Sequence, residues 1–144
     1  MKMNSQRFFV PFRAPSVNTI FKHWTVYDKN KNIMEPIVRQ ALAKYNIEQI
    51  PDDCVVNIIF QPIFKKKGNS KTYDMVNYAG NIKIIEDWLV KLKILKNDDN
   101  KNVVSHKTNN TIVQDKHETG MLVILTWQKR EEYKVIDKHF LNMI

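Results

Sequence analysis

The succession of apolar and polar positions divides the chain into elements before any chemistry is considered. Residues 7–12 (RFFVPF) predict a short strand in which Pro11, unable to donate to a ladder, marks an edge or a bulge. A polar, proline-containing connection follows. From Met34 to Tyr45, the residues Ile37, Ala41, Leu42 and Tyr45 recur at spacings of three to four. This spacing predicts a helix with Pro36 in its first turn and Lys44 near its end, complementing the helix dipole. Pro51-Asp52-Asp53 breaks the chain before CVVNIIFQPIF, whose β-branched and aromatic residues predict the strongest strand of the protein.

A second helix is predicted from about Asn77, whose side chain suits an N-cap. Tyr78, Ile82, Ile85, Leu89 and Leu92 repeat at 4, 3, 4 and 3 and form one apolar stripe. Trp88 falls off that stripe, which assigns it to a second layer or a partner subunit. After Leu95 a polar run leads to two β segments, a loose one over 102–113 and a strong one over 120–128. The intervening QDKHETG predicts a hairpin connection. Tyr133, Ile136, Phe140 and Met143 predict an amphipathic helix over 131–144. Together these elements predict one domain over 1–144 of α+β class. Its sheet is expected to be small, mostly antiparallel or mixed, with helices packed against it, rather than a doubly wound parallel sheet.

Composition then removes several classes of function. Gly68, Gly80 and Gly120, the only glycines, cannot assemble a phosphate-cradling loop. The single cysteine, Cys54, excludes an intrachain disulfide and a multi-cysteine zinc site, and its apolar setting predicts a buried thiol. No apolar run approaches a membrane span and the N-terminus lacks a signal-peptide stretch, so a cytoplasmic protein without a membrane partner is expected. The net charge of +8 favours polyanionic partners, nucleic acid first.

The charged residues with a chemical pattern gather around the second helix. Asp74 precedes it, Asp87 lies within it, and Asp98 and Asp99 follow it, while Lys83 stands one turn before Asp87. Positions i and i+4 are neighbours on a helix, so Lys83 and Asp87 share a face distinct from the apolar stripe. Carboxylates suit Mg²⁺ or Mn²⁺, which activate water and stabilise a leaving oxygen, and a lysine alongside stabilises charge on a phosphate. The same residues fit a blander account: Asp98-Asp99 as a turn, and Lys83 with Asp87 or Glu86 as a solvated pair. Lys65, Lys66, Lys67 and Lys71 form a basic loop ending just before Asp74, either a solvated charge run or a phosphate grip. His23, His106, His117 and His139 show no zinc spacing. His106, beside Lys107, fits a structural or surface role better than a DNA contact.

The run D-x-x-N, then K-x-x-x-D-x-L, then D-D before a β segment resembles the RusA-like Holliday junction resolvases. The residues that carry the likeness are Asp74, Asn77, Lys83, Asp87, Leu89, Asp98 and Asp99, and Pro15–Asn18 resembles the family's opening. The likeness runs from about residue 7 to 128. It implies a small α+β homodimer that cuts branched DNA with Mg²⁺, for which Mn²⁺ can substitute, making one nick per subunit. It further implies that Asp74, Asp87 and Asp99 are catalytic, metal-binding carboxylates and that Asp98 is a ligand or shapes the loop. Lys83 becomes the helix lysine that contacts phosphate or assists catalysis. Lys65, Lys66, Lys67, Lys71, Arg13, Lys101 and Lys107 are the candidate DNA-binding residues. The chain departs from the commoner family pattern at Val76, where a second aspartate is expected, and in the longer interval from Asn77 to Lys83.

Overall fold

The computed structural model describes residues 4–11, 24–65, 79–96, 102–133 and 142–143. The elements are β1 (Asn4–Val10), α1 (Trp24–Lys44), β2 (Cys54–Lys65), α2 (Ala79–Lys91), β3 (Val103–Thr108), β4 (Ile112–Gln114) and β5 (Gly120–Lys129). The protein is α+β, as its pattern predicts, with a mixed sheet in the order β1-β5-β2-β3 and β4 beside β2. β1 and β2 flank β5 antiparallel to it, while β3 and β4 run parallel to β2.

β2 is the organising strand. Its residues Cys54, Val56, Ile58, Phe60 and Phe64 are buried on one face and alternate with half-buried positions on the other. Pro62 has no N–H for a ladder, and the parallel side of β2 is interrupted beside it. β3 ends opposite Phe60, β4 begins opposite Ile63, and the Gln61 side-chain amide spans the gap by donating to the Asn110 carbonyl at 2.6 Å. Phe8 and Val10 of β1, Met121, Val123 and Leu125 of β5, and Val103 of β3 complete the buried face. Burial and the neighbouring Asp53 carboxylate push the Cys54 thiol pKa up, which fits the inert buried cysteine expected.

Both helices pack into this core. α2 contributes Ile84, Ile85, Trp88 and Leu89, and α1 contributes Tyr27, Met34, Val38, Ala41 and Leu42. Each helix stops at a residue in the left-handed conformation, Asn46 (φ 53°) after α1 and Lys93 (φ 62°) after α2. The next residue reaches back over the last turn: Ile47 N–H donates to Leu42 O and Ile94 N–H to Leu89 O, both at 2.9 Å. Among the described residues no helix is long and apolar enough to cross a membrane.

Four expectations are corrected. α1 begins ten residues before Met34 and carries Pro36 in its interior, not in its first turn. Its buried line runs Tyr27, Lys31, Met34, Val38, Ala41, and a lysine at the second position breaks the apolar pattern that marks the rest. β3 and β4 form no hairpin with β5, because β2 lies between them; α2 serves instead as the crossover of a parallel β2–α2–β3 unit. Trp88 is not off the buried face but 6% exposed within it, its indole N–H donating to the Lys31 carbonyl at 2.8 Å. The start of the expected terminal helix is corrected: Arg130–Glu132 forms a 3-10 turn and Tyr133 is extended, while residues 142–143 are helical and residues 134–141 and 144 lie outside the described residues.

Candidate functional site

The seam between α1 and α2 holds the densest group of interacting charges among the described residues. Lys83 and Asp87 occupy one face of α2, as their spacing predicts, with Lys83 Nζ 3.3 Å from Asp87 Oδ1. The other carboxylate oxygen faces α1. There it accepts a hydrogen bond from the Tyr27 hydroxyl, and Lys31 Nζ lies 3.5 Å away. Tyr27 and Lys31 are themselves one turn apart, so a single face of α1 supplies both partners.

Burial separates the two lysines. Lys31 is 16% exposed and Asp87 18%, whereas Lys83 is 53% exposed and presents its ammonium group to solvent. Lys31 is held further by Trp88, whose ring centroid is 5.7 Å from its Nζ; Lys91 approaches the same ring at 5.4 Å. Burial pushes the Asp87 carboxyl pKa up, but the Tyr27 hydrogen bond and the Lys83 and Lys31 charges outweigh it. The result lies below the usual carboxylate range. Burial, then the Asp87 carboxylate, raises the Tyr27 phenol far above its ordinary value. At neutral pH Asp87 is therefore a carboxylate and Tyr27 a neutral phenol.

The residue before Asp87, Glu86, turns toward the sheet. His106 Nδ1 lies 2.8 Å from Glu86 Oε1, with His106 41% exposed and Glu86 12%. The β2–β3 register sets His106 opposite Ile58, on the helix-covered face, and Lys107 opposite Ile59, on the other face. Lys65, also at an outward position of β2, shares that second face with Lys107. These two candidate DNA-binding lysines thus lie across the sheet from the α1–α2 seam. Asp74, Asp98, Asp99, Arg13, Lys66, Lys67, Lys71 and Lys101 fall outside the described residues.

A divalent ion is a poor fit to Asp87 in this arrangement. Mg²⁺ sits about 2.0–2.1 Å from its oxygen ligands, and both Asp87 oxygens already face protein donors. An ion and an ammonium group about 4 Å apart repel by roughly 8 kcal/mol at an effective dielectric near 20, taking twice the unit-charge value. Two lysines thus hold the positions of the counter-cation. Among the described residues no group of three or more His, Cys, Asp or Glu side chains is arranged to hold a metal. What the seam offers chemically is an exposed ammonium group, paired with Asp87 and suited to a phosphate oxygen.

Sequence reasoning missed Tyr27, Lys31 and the burial of Trp88. The signal existed in the spacing Tyr27–Lys31–Met34–Val38, read with Lys31 as a buried position satisfied by a carboxylate elsewhere. Comparison with protein-family models and with curated proteins finds no match for this chain.

Proposed function

We propose that the protein is a Mg²⁺-dependent, structure-specific endodeoxyribonuclease that resolves four-way DNA junctions in the cytoplasm as a homodimer. The observation that carries this reading is the Lys83–Asp87 pair on α2, with Lys83 exposed, in the order and spacing of the resolvase-like motif. The run of Lys65, Lys66, Lys67 and Lys71 in the sequence ahead of α2 and the net charge of +8 support a polyanionic substrate. In this reading Lys83 contacts a phosphate at the cleavage point. The carboxylates left for the divalent ion are Asp74, Asp98 and Asp99.

The test is incubation of the purified protein with a synthetic four-way junction and Mg²⁺ or Mn²⁺. Symmetrical nicks that disappear in Asp74→Asn and Asp99→Asn support the reading. A wild-type protein that leaves the junction intact under both ions defeats it.

A second reading, a branched-DNA binder with weakened chemistry, is favoured by Val76 and by the engagement of Asp87 with Tyr27, Lys31 and Lys83. It predicts tight, salt-sensitive junction binding without cleavage.

A further inference from the structure

We infer that Asp87 is a positioning residue: with Tyr27 and Lys31 it fixes the Lys83 ammonium group for a DNA phosphate and is not itself a metal ligand, the substrate being that of the proposed endonuclease. Three contacts carry this assignment. The Tyr27 hydroxyl and Lys31 Nζ both address Oδ2, which leaves Oδ1 turned along α2 toward Lys83. Tyr27 is buried and Lys31 nearly so, and the Trp88 indole N–H grips the Lys31 carbonyl from the opposite helix. The carboxylate is therefore oriented from behind by groups that solvent scarcely reaches. Only Lys83, at 53% exposure, is open to a ligand.

The division of labour follows from the charges. A flexible surface lysine samples many rotamers, and holding it in one lowers the entropic cost of each phosphate contact. Lys31, sequestered beside Trp88, engages Oδ2 from the buried side and leaves Oδ1 to Lys83. Lys83 can thus meet a phosphate while remaining hydrogen-bonded to its holder. Tyr27 and Lys31 become positioning residues that act through Asp87, and Lys83 is the residue that touches substrate.

A double-mutant cycle on junction binding tests this without reference to cleavage. Fluorescence anisotropy with a labelled four-way junction in EDTA would compare wild type, Lys83→Met, Asp87→Asn and the double variant. Losing one phosphate contact weakens binding about five- to tenfold near 0.1 M salt. Lys83→Met is expected to show that loss and Asp87→Asn about threefold. The double variant is expected to match Lys83→Met within about twofold, because Asp87 acts through Lys83. Removing a negative charge alone would tighten binding to DNA. Tighter binding by Asp87→Asn, losses that multiply, or an unaffected Lys83→Met would overturn the assignment.

Tyr27→Phe, which keeps the buried ring, is expected to weaken binding about twofold in the wild-type background and not at all with Lys83→Met. It decides the matter if Asp87→Asn folds poorly. Calorimetric titration with Mn²⁺ supplies the second readout. Asp87→Asn retaining wild-type affinity within about twofold supports the assignment, and a tenfold loss overturns it. A protein that neither binds Mn²⁺ nor nicks DNA, yet shows the coupled cycle, loses the endonuclease reading and keeps this one. A cutting protein with an uncoupled cycle does the reverse.

Discussion

Removing a single oxygen atom from the α1–α2 seam tests its energetics most cleanly. Tyr27→Phe keeps the ring that fills the core and deletes the hydroxyl donated to Asp87. A hydrogen bond to a charged group contributes about 1.5–3 kcal/mol. Asp87 is 18% exposed and keeps Lys31 and Lys83, so solvent and the two lysines soften its loss and place the cost near 1.5 kcal/mol. For a chain of 144 residues that corresponds to a fall in Tm of about 5 °C.

The pH dependence carries the sharper information. The Asp87 pKa is depressed in the folded protein. Its stabilising contribution is therefore fully present above the unfolded carboxylate value, near 3.9, and is lost as pH falls through the lower folded value. Urea unfolding of wild type and Tyr27→Phe, repeated from pH 7 down to pH 2, should show the full difference above pH 5 and a shrinking one below pH 4. A variant as stable as wild type at pH 7 would refute the reasoning. So would a penalty that stays constant through the acid range.

Further predictions concern the same seam and the elements that hold it. Tyr27 should resist ionisation beyond pH 10. Its raised folded pKa gives stability that is fully present below the unfolded value and lost as pH rises from there through the folded one. Alkaline titration of phenolate absorbance should show a late component that Tyr27→Phe removes. Gly120→Ala should destabilise by about 3 kcal/mol, because a Cβ there meets the Val10 carbonyl oxygen and lies 2.6 Å from the Phe9 ring; a variant with wild-type unfolding in urea would contradict the packing. Lys93→Gly should stabilise by about 0.5 kcal/mol. It relieves about 1 kcal/mol of left-handed strain and gives part of that back as unfolded-chain entropy. Unchanged or lower stability in the same urea assay would argue against that helix end.

What the sequence made legible follows from how each element is stabilised. β2, β5 and α2 announce themselves because their buried faces are almost wholly apolar, and the period alone identifies them. The Lys83–Asp87 contact was legible for the same local reason, since both residues lie on one helix. The first ten residues of α1 were not, because Lys31 stands where a hydrophobic residue marks a buried stripe and its compensating charge lies far along the chain at Asp87. Pro36 reinforced the error by resembling a helix start. The partner of β3 was hidden because strand adjacency here depends on α2 crossing over the sheet, which no local pattern encodes. Trp88 was misplaced because the face of α2 is wider than one stripe, Ile84 and Trp88 being buried beside Ile85 and Leu89.

The central claim is catalytic, and cleavage of DNA tests it most directly. A radiolabelled synthetic four-way junction, incubated with the protein and Mg²⁺ or Mn²⁺ beside a linear duplex of the same sequence, should be nicked symmetrically while the duplex is spared. Lys83→Met should lower that rate by at least about tenfold. An intact junction under both ions, or equal cutting of the linear duplex, would contradict the account.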